Sequence, residues 1–582
     1  MINKEIARIF REISEYLEMQ EDSFRSKAYA RVSRTMEETQ EDVVQIYERG
    51  GKKEIENLPG VGKSIAEKIE EYIKTGRIAY FEELKQKEPI DISSLTAVEG
   101  LGPKKIKKLY NELGIKTLNE LEVAAKEGKI RKLADFGDKT EQNIIKGIQF
   151  LKQSGNRLLL GSAYIIAEEI IAKIKQCKGI EQVGVAGSAR RMKETIGDID
   201  ILAMIEKPED ASAVMESFVS LPEVINIYSK GATKSSIRLK EGMNVDLRIL
   251  SQKSYGAGLM YFTGSKDHNI EIRKVAAKQG LKLNEYGLFR GNKQVAGDSE
   301  EQIYEYLGLQ FIPPEMRENT GEIKAAMDNK LPRLIKEEDI MGDLQIQTNW
   351  TDGEHAIMDY AEAAIKKGWQ YILITDHSKR LAMVGGLDEK RLREQGKEID
   401  AVNKILANKG YNFKVLKGIE CDIIKDGELD LADDALAELD IVGAAVHSYL
   451  NLPAALQTER MLKAMENRYV NIIFHPTARI INQRRAMELQ MDLVIEAAFK
   501  SGIALEINAY PDRLDLKDEY IRKCVEKGVK LVINSDAHSV RHMDYLKFGV
   551  AQARRGWAKR EDVANAWPID KLFKKLKNDR KR

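Results

Sequence analysis

Three hydrophobic rhythms follow one another along the chain. From Ile2 to about Ile73, apolar residues recur at helical spacing, broken by a short Gly-rich turn, and no strand-like alternation precedes Leu158. The second rhythm is an alternation. Asp198-Ile199-Asp200-Ile201 and Asn244-Val245-Asp246-Leu247-Arg248-Ile249 each place polar residues on one face of a strand and aliphatic residues on the other. The third begins near Asp343. There short apolar runs, Tyr371 to Ile374, Phe413 to Leu416, Ile441 to Ala445, Val470 to Phe474, Ala504 to Ile507 and Lys530 to Ile533, are separated by amphipathic helices. Strand-helix alternation of this kind predicts an α/β barrel whose strand C-termini carry the site.

Each rhythm carries its own chemistry. In the helical part, Leu58-Pro59-Gly60-Val61-Gly62-Lys63-Ser64-Ile65-Ala66 is a helix-hairpin-helix signature: the two glycines allow a tight turn whose free N–H groups meet a DNA phosphate. Val98-Glu99-Gly100-Leu101-Gly102-Pro103-Lys104 repeats it, with Lys105, Lys107 and Lys108 following, and Leu133 to Thr140 reads as a degenerate third copy. One copy is compatible with an ordinary helical hairpin; two, one with a lysine cluster, favour sequence-independent binding of the DNA backbone.

In the alternating part, Asp198 and Asp200 share one strand face. Adjacent carboxylates repel, so a divalent cation is the natural reason to tolerate them. With Asp246 on a neighbouring strand, three aspartates can hold two Mg²⁺ ions for in-line phosphoryl transfer. Upstream, Val183 to Ala186 reads as a strand entering Gly187-Ser188 and a helix start, where backbone N–H groups, Ser188, Arg190 and Arg191 would face an anion. A Gly-Ser pair or a D-x-D alone is common. The order Gly-Ser, two Arg, Gly197-Asp198-x-Asp200 and a third strand Asp is not. In the barrel part, Asp376-His377, Glu420, His447, His475-Pro476 and Asp536-Ala537-His538 fall at separate strand ends, a metal-site pattern that gathers most of the 7 histidines.

At 582 residues the chain is long enough for roughly three to five domains. Lys+Arg 93 against Asp+Glu 92 gives a net charge of +1, so nucleic-acid binding has to rest on local patches. Cys177, Cys421 and Cys524 form no C-x-x-C pair, and no apolar run approaches membrane-spanning length. The expectation is a cytoplasmic protein without membrane contact.

The motif from Gly187 to Asp200, with Asp246, resembles the family X DNA polymerases, whose best-known member is DNA polymerase beta. The match continues through Tyr261-Phe262-Thr263-Gly264-Ser265, Asn269, Arg273 and Asn284-Glu285-Tyr286. The resemblance implies that the Y-F-T-G-S segment is a thumb element that packs under the nucleotide sugar and excludes a 2′-hydroxyl. It also implies that Asn269 and Arg273 make minor-groove contacts, and that Ser188, Arg191 and the N–H of Gly197 grip the β and γ phosphates. The first hairpin resembles the lyase domain of the polymerase beta group, with Lys68 at the Schiff-base position and Arg25, Lys27 and Tyr29 placed for a 5′-phosphate. On the residues alone, Lys68 is a solvated helix lysine beside Glu67, Glu70 and Glu71, acids that would raise its pKa when nucleophilic attack needs it lowered.

The last part resembles the polymerase and histidinol phosphatase (PHP) domain that follows the polymerase in many bacterial family X enzymes. That family expects D-L-H-x-H-T-x-x-S-D-G where this chain reads Asp343-Leu344-Gln345-Ile346-Gln347-Thr348-Asn349-Trp350-Thr351-Asp352-Gly353. Both histidines are Gln, a much weaker ligand for Zn²⁺ or Mn²⁺. Asp352, His377, Glu420, His447, His475, Asp536 and His538 remain as ligands of a depleted site.

The expected fold is multidomain, α+β and α/β: a helical lyase-like domain (1–85), a second helix-hairpin-helix domain (86–155), a polymerase-beta-like nucleotidyltransferase palm (156–253) and thumb (254–316), a charged linker (317–339) after Pro313-Pro314, and a distorted β/α PHP barrel (340–575). The expected function is template-directed filling of short gaps by a monomer using deoxynucleoside triphosphates, gapped or primer-template DNA, and Mg²⁺ or Mn²⁺, with an impaired barrel nuclease. Two other classes stay open. An untemplated nucleotidyltransferase shares the palm motif, against which stand the paired hairpins and Asn269/Arg273. A phosphoesterase with a vestigial polymerase would contradict the intact aspartates and the Gln pair.

Overall fold

The computed structural model describes residues 2–39, 41–98, 100–154 and 157–578. The chain forms two compact units that part between residues 154 and 157, apart from 482–484. Glu99 and the domain boundary expected at 155/156 lie outside the described residues.

The first unit is helical, as its periodicity predicts, around a core that includes Val61, Ile65, Ile69, Leu101, Ile106 and Phe136. Its hairpins share one backbone. In the first, Gly60 adopts φ 75°, the Val61 N–H donates to Leu58 O at 3.1 Å, and Gly62 caps the Lys63–Thr75 helix. In the second, Gly100 adopts φ 83°, the Leu101 N–H donates to Val98 O at 3.0 Å, and Gly102 caps Pro103–Leu113. The third turn repeats the pattern without the glycine: Asp135 holds φ 70° and the Phe136 N–H donates to Leu133 O at 3.1 Å, before the Asp138–Ser154 helix. Asp135 also pairs with Lys108 of the second hairpin at 2.8 Å.

In the second unit a five-stranded sheet takes the order Ile180–Val185, Asp198–Ile205, Asn244–Leu250, Lys234–Leu239, Val224–Lys230. The strands carrying Asp198-x-Asp200 and Asn244-x-Asp246 are adjacent and parallel, with Asp200 opposite Asp246. Helices Gln252–Thr263 and Lys266–Lys278 and a three-stranded antiparallel meander follow. The charged stretch 317–339, expected as a linker, is instead packed in its first half, because its charges have partners. Arg317 is fully buried, ion-paired to Glu300 at 2.5 Å and donating to Ile312 O at 2.9 Å, and Glu322 accepts from the Asn319 and Thr320 backbone.

The last part is a nearly closed barrel of seven parallel strands in sequential order, from Gly342–Ile346 to Leu531–Asn534. A bridge between Ile346 and Ala537, with hydrogen bonds between Gln347 N and Ala537 O (2.8 Å) and between Ala537 N and Gln345 O (3.3 Å), brings its ends together. The barrel packs on the palm: Phe548 and Leu514 join the palm core, and Arg479 pairs with Glu194 at 2.7 Å. No helix among the described residues is long and apolar enough to cross a membrane.

Candidate functional site

Strand alternation presents Asp198 and Asp200 beside Asp246 while Ile199, Ile201, Val245 and Leu247 are buried beneath. The nearest counter-charges, Lys234 at 3.7 Å and Arg248 at 3.6 Å, both address Asp246. Burial, then Asp198 and Asp246, push the Asp200 carboxyl up to about 6. Three clustered carboxylates with this unbalanced charge suit divalent cations.

Gly187, with φ 61°, begins a single helical turn, and a Cβ there would come within 2.4 Å of Asp200 Oδ2. Glycine is what lets the turn approach the carboxylate. Ser188 lies within this turn. The two arginines are already engaged: Arg190 pairs with Glu300 at 2.6 Å, and Arg191 Nε with Glu318 at 3.0 Å, while Arg191 Nη1 donates to Thr263 O. Beside Gly197 stands Arg157, which donates to Thr195 O at 2.6 Å; a Cβ on Gly197 would clash with its guanidinium.

Tyr261 and Phe262 stand edge to face at 5.1 Å, Phe262 under the Arg248 guanidinium at 4.2 Å and Tyr261 partly exposed. Gly264, with φ 72°, ends their helix against Arg191. Asn269 donates to Tyr261 O at 2.6 Å and Arg273 to Asn269 O at 3.1 Å, so these three line one small cleft with Asn284.

In the helical unit, Gly62, Lys63, Gly102 and Lys104 are exposed at their helix starts, whereas Lys105 folds back to donate to Gly100 O at 3.0 Å. Lys68 departs from the sequence expectation. Burial outweighs Glu67 and Glu71 and lowers its pKa, with Arg25 also lowering it. Its ammonium lies 5.2 Å over the Tyr80 ring, and Arg25 donates to the Tyr80 hydroxyl at 3.4 Å.

The barrel ends gather two clusters of metal-type ligands: Asp352, His377 and His538, and His377, Glu420 and His447, the atoms of each within 4.8 Å of one another. His377 belongs to both. Its Nε2 faces Asp352 at 3.6 Å and its Nδ1 faces Glu420 at 3.3 Å. A neutral imidazole has one lone pair, so the clusters compete for it. His475 Nε2 adds a contact of 2.7 Å to Glu420. Burial alone would raise Glu420, but His377, His447 and the hydrogen bonds of His447 and His475 hold it well below the ordinary value. His447, opposed by burial, rises to about 9 on Glu420 and Asp422. Asp352 Oδ1 and Gln347 Oε1 are buried without a hydrogen-bond partner, so the pocket retains unsatisfied oxygen donors that fit a cation.

The remaining side has been given to the scaffold. Gln347 donates to Glu420 at 2.8 Å, and Gln345, in the amide orientation that satisfies both ends, donates to Glu506 at 2.5 and 3.2 Å. Burial, reinforced by Asp536, pushes Glu506 well above the ordinary carboxylate range. Asp536 faces two ways, with Oδ2 at 3.5 Å from Arg513 and Oδ1 at 4.0 Å from His538 of the first cluster. Glu506 and Arg513 were not anticipated. Glu506 sits at a strand C-terminus in Leu505-Glu506-Ile507-Asn508, an alternation that could have flagged it; Arg513 lies in a loop and gives no periodic signal. Positive φ at His475 (28°) and Asp536 (54°) marks strained backbone at two of these strand ends.

Known domain families account for most of the chain. Residues 1–78 match a helix-hairpin-helix domain, 92–149 a SAM-like helix-hairpin-helix tandem, 258–318 the DNA polymerase beta thumb and 343–567 the PHP domain. The tandem spans both the second hairpin and the degenerate third. A DNA polymerase lambda from Arabidopsis thaliana is 25% identical over 298 residues, 45% of this chain and 53% of that protein. A probable phosphatase of Thermoanaerobacter sp. is 30% identical over 208 residues, 34% of this chain and 78% of that protein. These matches define a DNA-directed DNA polymerase, a nucleotidyltransferase of polymerase-beta type, joined to a PHP barrel. The chain is 38% identical over 571 residues to the DNA polymerase/3'-5' exonuclease PolX of Bacillus subtilis, covering 97% of this chain and 98% of that protein. It belongs to the PHP-bearing family X DNA polymerases.

Proposed function

We propose that the protein fills short gaps in DNA during base-excision-type repair, copying a template with deoxynucleoside triphosphates, as a cytoplasmic monomer. The observation that carries this reading is the parallel register that sets Asp200 opposite Asp246, two residue pairs from Asp198, at a site whose three carboxylates outnumber the neighbouring Lys234 and Arg248. Asp198 and Asp200 would hold two divalent ions, Mg²⁺ or Mn²⁺, with Asp246 on the catalytic one. When bound, those ions supply activation of the primer 3′-hydroxyl and neutralisation of the triphosphate and leaving pyrophosphate. Ser188, Arg191 and the Gly197 N–H orient the β and γ phosphates. Tyr261 and Phe262 wall off the sugar 2′ position, and Asn269 and Arg273 face the minor groove. The exposed hairpin turns at Gly60–Lys63 and Gly100–Lys104 hold phosphates of the flanking duplex without reading sequence. Extension of a primer across a one-nucleotide gap tests the reading: addition of only the complementary nucleotide supports it, and addition of all four at equal rates would identify an untemplated transferase.

The barrel, in this reading, is impaired as a 3′-to-5′ exonuclease and abasic-site endonuclease, because Gln345 and Gln347 are committed to Glu506 and Glu420. Asp352, His377, His538, Glu420 and His447 would hold the Mn²⁺ or Zn²⁺ that remains.

A second activity is favoured by the Lys68 environment. Its lowered pKa and its place among Tyr80, Arg25 and Tyr29 suit a lysine that attacks the open sugar of an abasic site. Borohydride trapping of the protein on a 5′-deoxyribose-phosphate end, lost in Lys68→Ala, is the expected result; undiminished trapping in the variant would exclude Lys68.

A further inference from the structure

Between the phosphate turn and the barrel lies a partly buried ionic chain drawn from three parts of the second unit. Arg555, on the barrel helix Leu546–Arg555, is almost wholly buried. Its Nη1 donates to Arg191 O at 2.8 Å, the carbonyl at the end of the turn that begins at Gly187, and lies 3.1 Å from Glu318 Oε1. Its Nη2 pairs with Asp518 at 2.5 Å. The same Glu318 oxygen receives Arg191 Nε at 3.0 Å and has Lys193 at 3.8 Å. Burial would raise the Glu318 carboxyl, yet Arg555, Arg191 and Lys193 hold it below its ordinary value, so it is a carboxylate in this setting.

The consequence for Arg191 is geometric. Nε is held by Glu318 and Nη1 by Thr263 O, which fixes the plane of the guanidinium, while Nη2 forms no hydrogen bond to the described residues. A guanidinium held at two of its three nitrogens presents the third in a set direction, which lowers the ordering cost of gripping a phosphate. Arg555 anchors both the carboxylate that clamps the side chain and the carbonyl that ends the turn. The charges add to this. Arg191, Lys193 and Arg555 outnumber Glu318 and Asp518, leaving an excess positive charge. Without Arg555 the two carboxylates would be shared by two cations, and Glu318 would hold Arg191 against an incoming anion.

We propose that Arg555, a barrel residue, is a positioning residue for the polymerase: through Glu318 and the Arg191 carbonyl it sets the Arg191 guanidinium for the triphosphate of the incoming nucleotide. This rests on the reading of Arg191 as a phosphate ligand. It gives the barrel a part in nucleotide addition that does not depend on any metal at its own site.

The test is steady-state filling of a one-nucleotide gap by the full-length protein, with the deoxynucleoside triphosphate varied. Arg555→Met and Arg555→Gln should each raise KM for the nucleotide roughly five- to tenfold, the scale of one weakened charge-assisted contact, with kcat changed less than about twofold. Arg555→Lys, which keeps the charge but loses the forked geometry, should recover part of that rise. Affinity for the gapped DNA and the thermal midpoint serve as structural readouts. If KM is unchanged in Arg555→Met while Arg191→Ala raises it, the positioning role is overturned and the reading of Arg191 stands. If Arg191→Ala also leaves KM unchanged, that reading fails and takes the inference with it. A parallel fall of kcat, DNA affinity and thermal midpoint in all three Arg555 variants would show a packing role alone and overturn the proposal.

Discussion

The two carboxylate-rich sites of the second unit reach opposite electrostatic states. The palm site leaves three aspartates facing one another, with Lys234 and Arg248 nearest Asp246 and Asp200 still raised to about 6. The barrel site surrounds Glu420 with His377, His447, His475 and Gln347, so that its carboxylate is held low by partners already present. The first keeps an excess of carboxylate charge. The second has spent part of its binding capacity on itself. A ligand list read from sequence treats the two alike, and only the pairing distances separate them.

The comparison breaks most sharply at the palm. Asp198→Asn or Asp200→Asn should reduce gap filling by several orders of magnitude, because a neutral amide removes the charge that assembles the ion pair, while binding to gapped DNA measured by anisotropy stays within about twofold. Substantial extension by Asp198→Asn would disprove this platform.

At the barrel the change should run the other way. Replacing Gln345→His and Gln347→His together frees Glu420 and Glu506 and adds two imidazoles. Bound Mn²⁺, measured by elemental analysis, should rise, and Mn²⁺-dependent 3′-end degradation should increase by about 10–100-fold, the range typical for changes around a metal site. Vigorous degradation by the unaltered chain, abolished by His447→Ala but not by Asp198→Asn, would show that the two Gln suffice.

A smaller effect tests the sugar wall proposed for Tyr261 and Phe262. Tyr261→Ala should weaken discrimination against ribonucleotides several-fold more than it slows correct incorporation, as judged from paired kcat/KM values, since the excluded hydroxyl meets bulk rather than a hydrogen-bond partner. Unchanged discrimination would move the barrier to the backbone of the same segment.

The smallest effect is in pH dependence. Asp200 is raised in the fold, so its contribution to metal-free stability is present below the unfolded value near 3.8 and is lost as pH climbs through about 6. Asp200→Asn should therefore stabilise the metal-free protein at pH 7 by about 3 kcal/mol, with the gain vanishing below about pH 4. Saturating Mg²⁺ should cancel that advantage, and equal thermal midpoints for the two proteins in chelator at pH 7 would contradict the charge repulsion.

Much of this was legible in the sequence because it is local. Alternation located the strands that carry Asp198-x-Asp200 and Asp246, and short apolar runs located Tyr371–Ile374 and Ile441–Ala445 to the residue. The hairpin motifs fixed three turns, including the one where Asp135 replaces glycine. What the sequence concealed depends on partners far apart in the chain. The packing of the charged stretch after Pro314 hangs on Arg317 meeting Glu300, and the lowered pKa of Lys68 on burial near Tyr80, which outweighs the acids that flank it on its own helix. The ionic chain through Arg555, Glu318 and Arg191 joins positions with no common periodicity, so no pattern along the chain announces it.

The pairing of Lys108 with Asp135 bears on how the tandem responds to electrolyte. Each phosphate neutralised by a lysine releases condensed counterions from the duplex, and that release sets how steeply binding falls with salt. A lysine that already faces a carboxylate releases fewer when it meets DNA. If the hairpins hold DNA as proposed, the third, which repeats the turn but brings Asp135 and Asp138 to it, should trim the counterion yield of the second, and the grip on DNA should be less sensitive to ionic strength than a count of the lysines in the run from Lys104 to Lys108 implies.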